Sequence, residues 1–174
     1  MNVRNIHQRE FPVPPAQVGA LIDSLASRED RLWPWRSWPR MKLDRPLGVD
    51  AHGGHGPVRY FVEAFEPGRS VRFRFTGPKG FDGYHALEVV DSGEGRCALR
   101  HTLEMTARGA AAFTWPLFFR PLHDALIEDA FTVAETSLGL PPQVKRWSPW
   151  VRVLRRVAGG GRAGAQVPPG PSPR

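Results

Sequence analysis

The sequence feature that most restricts the fold is a change of period at Gly56. The runs VRYFVEAFE (58–66) and SVRFRF (70–75) alternate apolar and polar residues on either side of Pro67-Gly68, a turn dipeptide. Residues that alternate in this way line the two faces of a strand, so the segment reads as a β-hairpin with one face turned to a core. A two-residue turn pairs Glu66 with Arg69. It then sets Tyr60 opposite Phe75, Val62 opposite Phe73 and Glu63 opposite Arg72, the last a favourable cross-strand charge pair. The apolar face is Val58, Tyr60, Val62, Ala64, Val71, Phe73 and Phe75, and the other face carries Arg59, Glu63, Arg72 and Arg74. Two more alternating runs follow. GYHALEVV (83–90) turns His85, Leu87 and Val89 to one face, and RCALRHTLEMT (96–106) turns Cys97, Leu99, His101, Leu103 and Met105 to one face. A three-residue connection within DSGEG (91–95) sets His85 opposite His101, and a slip of two residues makes the two histidines diagonal neighbours. The loop before GYHALEVV allows Phe75 opposite His85, so Tyr60, Phe75, His85 and His101 form one inward row across four strands.

Helical period frames these strands. PVPPAQVGALIDSLASRED (12–30) places Val18, Leu21, Ile22 and Leu25 on one face, and Pro14 and Pro15 suit its start. Residues 113–138 return to helical period with Leu122, Leu126, Ala130 and Val133 as the packing face, while Pro116 and Pro121 imply a kinked or stepped beginning. Residues 2–11 read as a first strand. The order is strand, helix, irregular Trp/Pro segment, four or more antiparallel strands, long helix, which is an α+β arrangement.

Charge divides the chain. The net charge is +7, yet all 17 acidic residues lie at or before Glu135, and residues 139–174 carry seven basic residues and no acid. Residues 1–138 are therefore neutral, and a nucleic-acid partner is not expected. We read residues 1–138 as one domain, 139–157 as a basic Trp-containing amphipathic extension, and the Gly/Pro-rich 158–174 as a disordered tail. Cys97 is the only cysteine, so no intrachain disulfide forms. With neither a signal-like leader nor a spanning apolar run, a cytoplasmic location is expected.

The segments HGPVRYFVEAFEPGRSVRFRF (55–75), GFDGYHALEVV (80–90), LRHTLEM (99–105) and WPLFFRPLHDALIEDAF (115–131) resemble the START-like, or SRPBCC, superfamily, and most closely its polyketide cyclase/dehydrase-like bacterial members. The likeness covers about residues 4–138. It implies a helix-grip fold, a curved antiparallel sheet wrapped around a long C-terminal helix. It also implies a cavity between sheet and helix that accepts an apolar small molecule or a lipid. The superfamily lends no universal catalytic residue, and its fold hosts carriers, cyclases, receptors and cochaperone domains.

Within that frame, Tyr60, Phe73, Phe75, His85, Leu87, His101 and Leu103 are candidate ligand-binding residues of the sheet, or alternatively a packed core with satisfied histidines. Trp33, Trp35 and Trp38 form either a cavity rim or a hydrophobic plug. Trp115 and Phe119 are candidates at the start of the long helix. His123 there faces His101, while Asp124 suits the helix N-terminal end. Should the cavity be an active site, His101, His85, Tyr60 and His123 are the candidate acid/base groups. His52 and His55 have an H-x-x-H spacing, but one cysteine and no H-E-x-x-H leave no metal motif, and the surrounding glycines read as a flexible loop. No metal and no cofactor are expected. In 144–157, Ser148 caps a short helix begun by Pro149, with Val144, Trp147, Val151, Leu154 and Ala158 on one face. That face docks on the domain, on a second subunit in a homodimer, or weakly on a membrane surface. Three functions follow: binding or carriage of an apolar or aromatic small molecule, a cyclase/dehydratase-type enzyme, or an interaction module working through the extension.

Overall fold

A computed structural model describes residues 1–158. The reading of 158–174 as a disordered tail falls outside these residues except for Ala158, which ends the last helix. The elements are β1 (Asn2–Phe11), α1 (Pro15–Asp23), β2 (Lys42–Leu43), β3 (His52–His55), β4 (Val58–Glu66), β5 (Ser70–Gly77), β6 (Phe81–Gly93), β7 (Arg96–Ala107), α2 (Ala111–Thr114), α3 (Arg120–Ser137) and α4 (Pro149–Ala158). The strands form one antiparallel seven-stranded sheet in the order β1-β7-β6-β5-β4-β3-β2. A turn of π-helix, Trp115–Phe119, joins α2 to α3, so residues 111–137 make one stepped helix across the concave face of the sheet. The architecture is the expected α+β helix grip.

The hairpin register holds through two compensating departures. The turn has three residues, with Glu66 paired to Ser70, and a bulge at Glu63 restores Val62 opposite Phe73 and Tyr60 opposite Phe75. The bulge also turns Ala64 outward and brings Phe65 onto the core, reversing the expected assignment of Ala64. Glu63 reaches Arg74 at 2.7 Å, and Arg72 lies 4.0 Å away. Between β6 and β7 the slip of two is realised. His85 pairs with Leu103 and Leu87 with His101, because both strands run on to a two-residue turn at Glu94-Gly95 with a bulge beside it. Both turn residues have positive φ, the twist that suits a tight hairpin. Phe73, not Phe75, pairs with His85.

The first helix is shorter than its periodicity suggests. It stops at Asp23, and the Asp30 carboxylate then accepts bonds from the backbone of Ala26, Leu32 and Trp33, folding the chain into a turn that presents Trp33 inward. The glycine-rich segment expected to be a loop is strand β3. A Cβ on Gly53 would lie 1.9 Å from the Lys42 carbonyl oxygen, so the close approach to β2 needs glycine there. On α3 the buried face is Leu126, Ile127, Ala130, Phe131, Ala134 and Glu135, while the expected Val133 is half-buried.

Pro121 explains the step in the long helix. It has no N–H for the Leu117 carbonyl, and its ring would press on that group. The chain widens by one residue, and the Arg120 N–H bonds the Trp115 carbonyl instead. The freed Leu117 carbonyl accepts the Trp150 indole N–H at 2.8 Å. Helix α4 is capped by Ser148, whose hydroxyl accepts from the Val151 N–H at 3.2 Å. Its Val151 and Leu154 are buried against the domain, whereas Val144 is exposed. Asp129 accepts both the Trp38 and Trp147 indoles, at 2.7 and 2.9 Å, and Arg155 lies over Trp38 and bonds the Ser37 carbonyl. Among the described residues, no helix is long and apolar enough to cross a membrane.

Candidate functional site

The sheet and the stepped helix enclose a cavity of about 150 Å³. The strands contribute His55, Val58, Phe73, Phe75, Phe81, His85, Leu87, His101 and Leu103. The helix contributes Trp115, Phe119, Leu122, His123, Leu126, Ile127, Ala130 and Phe131. The irregular segment adds Trp33, Trp38, Pro39 and Met41, and α4 adds Arg155 and Ala158. Eleven of the thirteen residues singled out as ligand-binding therefore line one space. Two do not. Trp35 is exposed, with Arg36 and Arg40 over its ring, because the tight Trp33–Trp38 turn can send only two of its three indoles inward. Tyr60 is buried behind the wall, its hydroxyl 3.1 Å from His55 Nδ1.

The cavity's polar atoms are four imidazoles and, where α4 meets it, the Arg155 guanidinium. His85 stacks on Phe73 and Phe75, with ring centroids 4.9 and 5.2 Å away. His101 Nε2 and His85 Nδ1 are 3.3 Å apart, and the His123 ring lies 4.9 Å from that of His101. Burial, with smaller contributions from neighbouring histidines, holds His85 and His101 well below the ordinary histidine pKa. Burial likewise pushes His55 down to about 3, and lowers His123 against the pull of the Asp124 carboxylate. The Tyr60 hydroxyl is pushed up by burial and stays protonated. The imidazoles facing the cavity are thus neutral at pH 7, each with one donor and one acceptor, and Arg155 is the cation on its lining. Among the described residues, His85 Nε2, His101 Nδ1 and both ring nitrogens of His123 are buried without a hydrogen-bond partner.

Beside the cavity, β1 docks on α3 through polar groups. Its inward residues are Asn5, His7 and Arg9, facing Asp124, Glu128 and Glu135. Arg9 reaches Glu128 at 2.6 Å and Glu135 at 3.0 Å, and Asn5 donates to Asp124 at 3.0 Å. His7 Nε2 is 3.1 Å from Asp124 Oδ1, and His7 Nδ1 is 3.2 Å from Glu128 Oε1. Burial opposes charging of His7, but the two carboxylates outweigh it and raise its pKa. Asp124 therefore serves this seam more than the helix end. The sequence reading missed the seam because its partners lie up to 126 positions apart. The visible signal was a strand with polar residues at alternate positions, which fits a half-exposed strand as well as a polar contact. His55 was also missed as a lining residue, since two glycines beside it read as a loop.

This is a helix-grip fold, a curved antiparallel sheet closed over by a long stepped helix, with an aromatic-lined cavity between them. No protein-family model and no curated protein sequence matches the chain. Solved structures do. A solution structure of a protein from Thermobifida fusca superposes with a TM-score of 0.61 at 16% identity, covering 82% of this chain and 98% of that one. Norcoclaurine synthase from Thalictrum flavum, in complex with dopamine and hydroxybenzaldehyde, gives 0.60 at 14% identity over 82% of this chain and 90% of that one. CalU16 from Micromonospora echinospora gives 0.57 at 15% identity over 90% and 83%. At these identities the likeness is one of fold.

Proposed function

We propose that the protein binds a neutral, ring-sized apolar or aromatic molecule in the cavity between the sheet and the stepped helix. The observation that carries this reading is a buried space walled by aromatic side chains in which every imidazole is neutral and several ring nitrogens lack partners. A space of about 150 Å³ accommodates a one- or two-ring molecule, while a full acyl lipid needs the walls to part. Each unpartnered buried nitrogen costs about 1–3 kcal/mol, which a ligand hydroxyl or carbonyl offsets. Apolar burial supplies the rest, at about 25 cal/mol per Å² before the costs of association. The neutral imidazoles give little compensation to a carboxylate, which would have to reach Arg155 at the α4 side of the lining. That a neighbour of the same fold holds dopamine and hydroxybenzaldehyde accords with an aromatic ligand.

Native mass spectrometry of the purified protein, set against its denatured mass, tests the reading. A bound mass of a few hundred daltons or less, or 1:1 uptake of added 2-naphthol, is the expected result. No co-purified mass together with no uptake overturns it.

The touching His85–His101 pair favours a second reading, proton transfer on the bound molecule. A turnover found for any bound ligand and abolished by His101→Phe supports it. Turnover retained in that variant removes it.

A further inference from the structure

We propose that His7, His123 and Asp124 form a binding site for one divalent transition-metal ion of the zinc class, against the outer side of the cavity wall. His7 comes from β1, and the other two from the first turn of α3. One ligand atom from each lies within 4.8 Å of the others. Asp124 Oδ1 is 3.1 Å from His7 Nε2 and 3.5 Å from His123 Nδ1. Ligands held tetrahedrally at zinc–nitrogen and zinc–oxygen lengths of about 2.0–2.1 Å are separated from one another by about 3.3 Å. The two spacings to Asp124 bracket that value, and the two imidazole nitrogens lie within 4.8 Å of each other.

A second observation points the same way. His123 Nδ1 is buried and close to a carboxylate oxygen, yet forms no hydrogen bond with it or with any other described residue. A nitrogen and a carboxylate oxygen facing each other at this distance leave room for a shared cation. The surroundings also match what metal ligands need. The other nitrogen of His7 meets the Glu128 carboxylate, which fixes the ring and its tautomer, and the Asn5 amide holds Asp124. Two of the cations near the cluster pair with other carboxylates, and Arg120 pairs with the Asp124 oxygen that faces away from the two histidines. Arg9 pairs with Glu128 and Glu135, and Lys145 with Glu128 at 2.8 Å, while Arg120 lies 3.7 Å from that Asp124 oxygen.

Two imidazoles and one carboxylate select zinc-like ions over magnesium or calcium, and three protein ligands leave a position open. His123 also lines the cavity, so an ion here stands next to whatever the cavity holds. The sequence carries no metal motif because His7 and Asp124 are 117 positions apart.

The test uses untagged full-length protein, stripped with a chelator and titrated with Zn²⁺ by calorimetry and with Co²⁺ by visible absorption. One ion per chain and a tetrahedral-type Co²⁺ spectrum are expected. His7→Gln and Asp124→Asn, near-isosteric changes checked by circular dichroism, should each weaken binding by at least about 100-fold. His52→Ala, at an exposed histidine, should leave it unchanged. No saturable binding, or affinity unaltered in both ligand variants, overturns the proposal. If one variant fails to fold, the other decides. The plugged variant Ala130→Phe should still bind the ion, so this site and the cavity reading fail separately.

Discussion

Removal of Arg9 exposes the energetics of the polar seam. Its guanidinium is buried, with 7% of the side chain exposed, and it sits 3.0 Å from Glu135, only 3% exposed, and 2.6 Å from Glu128. In the variant Arg9→Met the hydrocarbon part of the side chain is largely replaced but the charge is lost. Glu135 then keeps one hydrogen bond, from the Gln143 N–H at 2.7 Å, and no cation. An uncompensated buried carboxylate of this kind costs about 3–5 kcal/mol. For a domain of this size that is a fall in Tm of roughly 6–20 °C. The double variant Arg9→Met/Glu135→Leu removes both charges and should recover most of the loss, since desolvation of a buried pair nearly cancels its attraction. Urea unfolding of the wild type, both single variants and the double variant closes the cycle. A loss under about 1 kcal/mol in Arg9→Met, or a double variant no better than the singles, shows that Glu135 does not depend on Arg9 for its charge.

Three further outcomes are expected. His55 and His85 are held neutral in the folded state below the ordinary histidine pKa. The unfolded chain therefore binds protons that the folded chain refuses as pH falls below about 6.5, and stability should fall by up to about 1.4 kcal/mol per pH unit for each. His85→Phe, which keeps the stack on Phe73 and Phe75, should flatten the slope of urea midpoints between pH 6.5 and 4.5, and an unchanged slope counts against the burial account. Trp150→Phe removes the donor to the Leu117 carbonyl and should loosen α4, read as faster amide exchange in 149–158 with little change elsewhere. Asp129→Leu leaves two indole N–H groups without their acceptor. It should destabilise by about 2 kcal/mol and weaken the near-ultraviolet circular dichroism of the tryptophans, whereas a neutral effect contradicts a role for Asp129 in holding Trp38 and Trp147 together.

How much of this could be read from the sequence depends on the range of the forces involved. The hairpin around Pro67-Gly68 was legible because alternation and turn chemistry act within a few residues. Even there, the three-residue turn and the bulge at Glu63 cancel, so the pairing of Tyr60 with Phe75 emerged correctly from a wrong turn. The His85–His101 register was legible to within two residues, since a slip of two preserves the inward face. The cavity wall followed from that face. The Trp35 assignment failed because period alone does not say which indoles a Pro-rich turn sends inward. The polar seam and the His7–His123–Asp124 cluster were invisible for another reason. Both depend on β1 returning beside β7 and under α3, a contact between the two ends of the domain that no local pattern encodes.

The cavity is tested most directly by calorimetric titration of 2-naphthol into wild type and into Ala130→Phe. Ala130 lines the cavity from α3 and is 7% exposed, so a phenyl ring there fills the space the ligand would take. Saturable 1:1 binding to the wild type, lost in a variant that keeps its circular dichroism and cooperative unfolding, is the predicted result. Binding of equal strength in the folded plugged variant, or none in the wild type, contradicts the account.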